Sequence, residues 1–356
     1  MGIDLGDVVV RRPVTMQHFA GKRVALDAWN ILYQFLASIR GPDGTPLTDP
    51  QGRVTSHLTG VLHRTGALVE AGVRPVFVFD GAPHALKADT LAHRQARKVE
   101  AQAAYDAAVE AGDLATARTK AQQTSRLTVP MVEQAQRLLR ALGIPVLQAP
   151  GEGEAQAAWM VQQGLADATV SQDFDALLFG TPVLVRNLGV GGRRKMPGKQ
   201  VWVDVPPEEI PLAASLAALG LTREQLVDCA LLVGTDFHPG VQGIGPKKAV
   251  ALLQKHGSLE ALLERLTANP GSAVSAVERA IVEQHEALAD RDEVRRIFLE
   301  PAHAPVEAAA LAMGKPDADA VRQLLVGEFG FQRERVDTAL EKYVAAAGKG
   351  RQARLF

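Results

Sequence analysis

Seven acidic residues stand where chemistry could use them. Asp27 closes the run Val24-Ala-Leu, Asp80 closes Val76-Phe-Val-Phe, and Asp173 and Asp175 follow Ala168-Thr-Val-Ser-Gln. Glu152 and Glu154 lie in Pro150-Gly-Glu-Gly-Glu, just past the run Ile144–Leu147, and Asp236 follows Ala230-Leu-Leu-Val-Gly-Thr. Residues two apart point away from each other on a regular helix. Both glutamates can face one site only where the chain turns from loop into a first helical turn, and Pro150, Gly151 and Gly153 favour such a turn. A cluster of carboxylates repels itself and raises its own pKa values. Hard, oxygen-seeking cations such as Mg²⁺ or Mn²⁺ relieve that repulsion, and no His or Cys stands among the seven to favour zinc. Two such ions suit in-line hydrolysis of a phosphodiester. Any one Asp at a strand end also serves as a helix cap or turn former; the weight lies in the number of sheet ends that carry an acid.

A second constellation is Val241-Gln-Gly243-Ile-Gly245-Pro246-Lys247-Lys248. Glycines followed by a proline and two lysines open a helix, and exposed N–H groups at its positive end make an anion cradle. The spacing is not that of a nucleotide-binding phosphate loop. It reads as a hairpin between two helices that holds a duplex phosphate through Gly243, Gly245, Lys247 and Lys248 without reading sequence, or as an ordinary Gly-rich turn.

The elements that must position these groups are short, unalternating apolar runs separated by helical stretches. The runs are Val24–Asp27, Val76–Asp80, Ile144–Leu147, Ala168–Ser171, Pro182–Val185 and Val201–Asp204; helices are expected over Met131–Leu142 and Ala155–Gln163. The fold class is therefore α/β, with a mainly parallel sheet buried on both faces. Ligands gather at the carboxyl ends of such strands, so acids remote in sequence should converge there. Three segments break the pattern. Gly41–Arg53 is a turn-rich loop, and Pro83–Leu127 reads as an inserted helical hairpin around Gly112-Asp113 carrying Lys87, Arg94, Arg97 and Lys98. After about Leu221 strands give way to Ala/Leu/Glu helices, and a tail follows Ala346.

A length of 356 residues with 47% hydrophobic content excludes disorder and suits one large or two modest domains. The single cysteine, Cys229, excludes a disulfide framework and fits a reducing compartment. No apolar run reaches the roughly 18 residues of a membrane span. The formal charge of −1 argues, as a total, against nucleic acid. Setting the seven acids aside from the 40 leaves 33 against 39 Lys+Arg, a surplus of six positive charges elsewhere. The total conceals an acidic pit beside a basic surface.

The segments VALDAWNILYQFL (24–36), PVFVFDGAPHALK (75–87), APGEGEAQAAWM (149–160), SQDFDALLFGTPVLVRNL (171–188) and LLVGTDFHPGVQGIGPKKA (231–249) resemble those of the flap endonucleases, structure-specific 5′ nucleases, most closely the archaeal form. The resemblance implies a PIN-like nuclease core over residues 1–225, with a helical arch at about 83–128. It implies a helical DNA-binding region with a helix-hairpin-helix-type motif over 226–345, and a flexible tail with a partial sliding-clamp motif over 346–356. It implies metal-site roles for Asp27, Asp80, Glu152, Glu154, Asp173, Asp175 and Asp236. Lys87 and Arg94 match basic residues at the foot of the arch, and Tyr33 matches an aromatic that stacks on a base. Arg64 matches a duplex-contacting arginine, and Gly2 matches a residue whose freed amino group lies near the substrate. The expected activity is endonucleolytic removal of 5′ flaps from branched DNA, with 5′–3′ exonuclease activity, in replication and repair. Two Mg²⁺ (or Mn²⁺) and a K⁺ in the Gly240–Pro246 turn would serve it, in a cytoplasmic, nucleoid-associated monomer.

Three departures from the family pattern stand out. Gly151 occupies a position usually held by Ser, and His84 one usually held by Pro. The tail Gln352-Ala-Arg-Leu355-Phe356 gives the Gln and aliphatic of a sliding-clamp motif but only one aromatic, so clamp binding is expected to be weak. Two other readings are an RNA-directed nuclease on a similar acidic core and a non-catalytic junction-binding scaffold. A scaffold gains nothing from unneutralised acids beside phosphates.

Overall fold

The computed structural model describes residues 3–41, 44–113, 116, 120, 124, 126–189, 192–195, 202–268 and 275–352. In chain order the strands are β1 (Arg12–Pro13), β2 (Arg23–Asp27), β3 (Arg74–Phe79), β4 (Val146–Gln148), β5 (Ala168–Val170), β6 (Val183–Arg186), β7 (Gly192–Lys195), β8 (Trp202–Val205) and β9 (Glu208–Pro211). The helices of the first half are α1 (Ala28–Ser38), α2 (Ser56–Gly60), α3 (Gly66–Glu70), α4 (Ala88–Glu110), α5 (Val129–Ala141), α6 (Gly153–Gln162) and α7 (Asp175–Leu178). Those of the second half are α8 (Leu212–Leu219), α9 (Arg223–Val233), α10 (Pro246–His256), α11 (Leu259–Ala268), α12 (Ala276–Glu283), α13 (Arg291–Leu299), α14 (Ala318–Arg322) and α15 (Arg333–Gln352).

Seven strands form one sheet in the order β1-β9-β6-β5-β2-β3-β4. The pairs from β6 through β4 are parallel, whereas β9 runs antiparallel to β6 and to β1. The central strands are buried on both faces, and their alternation divides them between two cores. Val24, Leu26, Phe77 and Phe79 face a cluster built with α1 and α5, while Ala25, Val76 and Val78 face Ala157, Met160 and Val161 of α6. Truncating Phe77 at the centre of this layer to Ala would cost about 3–5 kcal/mol. Helix α1 follows β2 without a loop because Asp27 caps it, accepting from the Asn30 N–H. It then buries Ala28, Ile31, Leu32, Phe35 and Leu36 at helical spacing.

Two features differ from the sequence expectation. The run Val201–Asp204 joins no central strand; β8 pairs with β7 in a separate two-stranded hairpin. Its partner Gly-Arg-Arg-Lys has no apolar signal, and strand β9, Glu-Glu-Ile-Pro, between β1 and β6, is equally hidden. The C-terminal stretch also reaches back to the elements of the first half. Val321, Leu324, Leu325, Phe329, Val336, Leu340 and Tyr343 return to the cluster beneath α1, α2 and α5. There the Tyr343 hydroxyl donates to the Val61 and Leu62 carbonyls, at 3.0 and 2.8 Å. The intervening helices share the other main cluster, with α7 and β6. Among the described residues, no helix is long and apolar enough to cross a membrane.

A candidate carboxylate active site and nucleic-acid interface

From β2 the chain moves outward to β3 and β4, then returns to lay β5 and β6 on the other side of β2. Such a reversal opens a crevice at the carboxyl ends of the strands, and the acids gather there. Asp27 ends β2, Asp80 follows β3, and Asp173 and Asp175 lie between β5 and the start of α7. Glu152 is the N-cap of α6 and Glu154 sits in that helix's first turn, so the two glutamates do occupy a loop-to-helix transition. Gly153 is required between them: its N–H donates to Asp80 Oδ1 at 2.7 Å, and a Cβ there would stand 2.7 Å from the same oxygen. Asp236 follows α9. Asp27, Asp175 and Asp236 are buried, at 7%, 5% and 7% exposure.

The site is electrostatically frustrated. Burial and then the neighbouring Glu152 push Asp80 up to about 6. Burial, Asp236 and Asp173 push Asp175 up to about 7. Asp27 is driven well above the usual carboxylate range by burial, Asp80 and Asp173, and Glu154 by burial, Asp27, Asp175 and Asp173. One cation reaches in from the foot of α4. Lys87 pairs with Glu152 and lies 4.8 Å over the Phe237 ring. Burial works against its charge, yet Glu152, Asp236 and Asp80 outweigh it and raise its pKa.

Side chains that the sequence reading did not single out hold the acidic loop. Arg186, at the end of β6, donates from Nε to the Gln172 carbonyl at 3.1 Å and lies 4.3 Å over the Phe174 ring. Ser171 Oγ accepts from the Asp173 N–H at 3.2 Å and approaches Asp27 Oδ2 at 3.4 Å. Asn30 joins the same loop to α1. A polar residue flanking the apolar stripe of α1, three positions after an acid, was the available signal.

The remaining predicted residues fall in three places. At the arch, α4 runs from Ala88, and Arg94 lies on it, although its side chain is outside the described residues. Lys98 of α4 reaches Tyr33 of α1, with Nζ 3.1 Å from the hydroxyl and 4.8 Å over the ring. His84 caps the turn before α4, Nδ1 accepting from the Leu86 N–H at 3.3 Å, and meets Phe237 edge-on. Away from the pit, Gly243 has φ +89°, Gly245 caps α10, and Lys248 Nζ donates to the Gly243 carbonyl at 2.9 Å. Lys247 makes an exposed 3.0 Å pair with Asp7, and Arg64 lies in the π-helical turn Val61–Thr65. Gly2, Leu355 and Phe356 lie outside the described residues, as does the side chain of Gln352.

The donor set fits hard divalent cations. It is all carboxylate oxygen, and the buried Glu154 Oε1 has no hydrogen-bond partner. Several acids lean on protein donors instead: Asp80 on the Gly153 N–H, Asp27 on the Asn30 N–H, and Asp175 on the Ile3 N–H at 2.9 Å. Among the described residues, no three of them close on one point as a ligand group.

Buried acids at a sheet's switch point, with a lysine at the foot of a long helix beside them, accompany a sequence of the XPG nuclease class. Residues 4–101 match the XPG N-terminal domain and residues 143–236 the XPG I-region. The chain is 46% identical to flap endonuclease 1 of Archaeoglobus fulgidus over 346 residues, covering 97% of this chain and 96% of that one. It superposes on the structure of flap endonuclease-1 from Methanococcus jannaschii with a TM-score of 0.72 at 34% identity, covering 98% and 100% of the two chains. The catalytic core of Rad2 in complex with DNA substrate aligns at a TM-score of 0.63 and 26% identity, over 93% of this chain and 94% of that one. The chain belongs to the flap endonuclease 1 family. It is a structure-specific nuclease that binds DNA and uses divalent metal ions.

Proposed function

We propose that this enzyme removes 5′ flaps from branched duplex DNA, as in Okazaki fragment maturation and repair, by hydrolysis assisted by two Mg²⁺, with Mn²⁺ able to substitute. The observation that carries this reading is the set of carboxylates from β2, β3, α6, the β5–α7 loop and the α9 end, which share one crevice with Lys87. Asp27, Asp80, Glu152, Glu154, Asp173, Asp175 and Asp236 would hold the ions, which when bound supply Lewis acidity and a water of lowered pKa. Every other contribution comes from the chain. Lys87 is already desolvated and charged, and it stabilises negative charge building on the phosphate once it exchanges Glu152 for it. Arg94, two helical turns further along α4, adds to this. Tyr33 offers a ring for the base beside the cut when Lys98 moves away. Backbone N–H groups at Gly243–Lys248 and the side chain of Arg64 hold duplex phosphates and set its position. The arch over residues 83–128 admits a single strand with a 5′ end, and the chain acts 5′ to 3′ as an exonuclease on the same site.

Further parts of the reading are a K⁺ in the Gly240–Pro246 turn, weak capture of a sliding clamp by Gln352, Leu355 and Phe356, and a monomer working in the cytoplasm at the nucleoid. The test is cleavage of a 5′-flap DNA and a hairpin RNA in Mg²⁺ by wild type and Asp175→Ala. Wild type should cut the flap at the junction and spare the RNA, and Asp175→Ala should be slower by about 10³-fold. Equal rates for wild type and variant would refute the site assignment, and preference for RNA would refute the substrate.

A further inference from the structure

We propose that Asn30 is a positioning residue that sets the distance between the two sides of the carboxylate site. It stands in the first turn of α1, and its three polar groups are used in three directions. Its backbone N–H donates to Asp27 Oδ1 at 3.0 Å. Its Nδ2 donates to Asp173 Oδ2 at 3.1 Å, and its Oδ1 accepts from the Gln172 N–H at 3.1 Å. One residue thus touches an acid on β2 and an acid on the loop after β5, the two strands between which the crevice opens.

The carboxamide suits this place chemically. An N–H group of the backbone can face only its oxygen, which leaves the NH₂ for the carboxylate; the flipped amide would set donor against donor and acceptor against acceptor. An aspartate would turn a third acid toward Asp27 and Asp173, and a serine is too short to span from Gln172 to Asp173. The amide supplies a donor to an ionised carboxylate without adding charge to a pit that already repels itself. The loop is fixed on its other flank, where Arg186 holds the Gln172 carbonyl and Ser171 holds the Asp173 N–H. Gln172 is therefore gripped by its N–H from α1 and by its C=O from β6, and Asn30 is the group that ties this arrangement to Asp27.

The assignment rests on the reading of these acids as divalent-ion ligands, and its test separates the two. Full-length wild type, Asn30→Ala and Asn30→Ser are titrated with Ca²⁺ by calorimetry without DNA, and with Mg²⁺ in flap cleavage. Circular dichroism monitors the fold. Removing a group that orients a metal ligand typically weakens affinity or activity tenfold or more. Both variants should need at least about tenfold more Ca²⁺ and Mg²⁺ for half-saturation, with melting temperatures close to wild type and rates that partly recover at saturating Mg²⁺. A folded variant with the wild-type ion midpoint overturns the proposal, as does loss of stability without a change in midpoint, which would make Asn30 a structural tie. Failure of wild type to cut flaps while it still binds Ca²⁺ would fault the flap reading and leave the calorimetric test of Asn30 intact.

Discussion

Two buried acidic sites in this molecule are treated in opposite ways. Glu278, in α12, has no exposed surface, and Glu154 in the crevice buries its Oε1. Burial alone would raise the pKa of each. Around Glu278 that tendency is overcome by the Ser275 backbone N–H and by Lys255 and Arg265, at 3.2 and 2.6 Å, which hold it down at about 2. Around Glu154 the neighbours are Asp27, Asp175 and Asp173, and its pKa rises. The helical region spends its cations to satisfy its acid. The crevice sets its lysine, Lys87, against Glu152 and surrounds Glu154 with acids, so Glu154 stays available to an incoming divalent ion.

Exchanging charge for amide at each place should separate the two behaviours. Asp175→Asn should slow flap cleavage by about 10³-fold. The fold measured without divalent ions should be as stable as wild type or more so, because one repelling charge is gone. Glu278→Gln should leave the cleavage chemistry near wild type and cost about 2 kcal/mol, because a neutral amide replaces the carboxylate charge facing Lys255 and Arg265. The sign of the pH effect follows from the lowered pKa. Glu278 stabilises the fold fully above the unfolded carboxylate value near 4.5 and loses that contribution as pH falls toward 2. Urea melts across that window should show a shallower loss for Glu278→Gln. A variant with the same acid slope as wild type would break the comparison.

A smaller effect is expected from the geometry that keeps the crevice acids apart yet convergent. Gly153→Ala puts a methyl group 2.7 Å from Asp80 Oδ1 and 3.1 Å from the Val78 carbonyl, so Asp80 must shift. Displacement of that order costs about 10²-fold in rate. Gly151→Ala, two residues away with open space around it, should cut at close to the wild-type rate in the same assay.

This pair of glycines also marks how far the sequence could be read. The turn holding Glu152 and Glu154 was legible, because Pro150, Gly151 and Gly153 leave little else for the chain to do there, and the central strands were legible because both their faces are buried. The backbone bond from Gly153 to Asp80 was not, since it joins residues 73 apart. Asn30 was passed over for the same reason: its amide has meaning only beside Gln172 and Asp173, more than 140 residues on. The Ala/Leu/Glu composition after Leu221 announced helices but could not say that those over Val321–Tyr343 return to α1 and α2. Strands β7 and β9 carry charged residues that reveal themselves only through pairing.

The smallest effect concerns how loosely the cations near the crevice are held. Lys98 rests on the hydroxyl and ring of Tyr33, and Lys87 on Glu152 with the Phe237 ring beneath it, whereas Glu278 draws in both Lys255 and Arg265. A cation over an accessible ring is worth about 0.5–1 kcal/mol, and a factor of ten in equilibrium is about 1.4 kcal/mol. If Lys98 competes with a base for Tyr33, Lys98→Met should strengthen stacking of a fluorescent base analogue placed beside the scissile phosphate by about two- to fivefold. Tyr33→Leu in the same background should abolish the gain. No change in Lys98→Met would mean that the ring is not contested, and that the arch lysine is fixed in the manner of the Glu278 network.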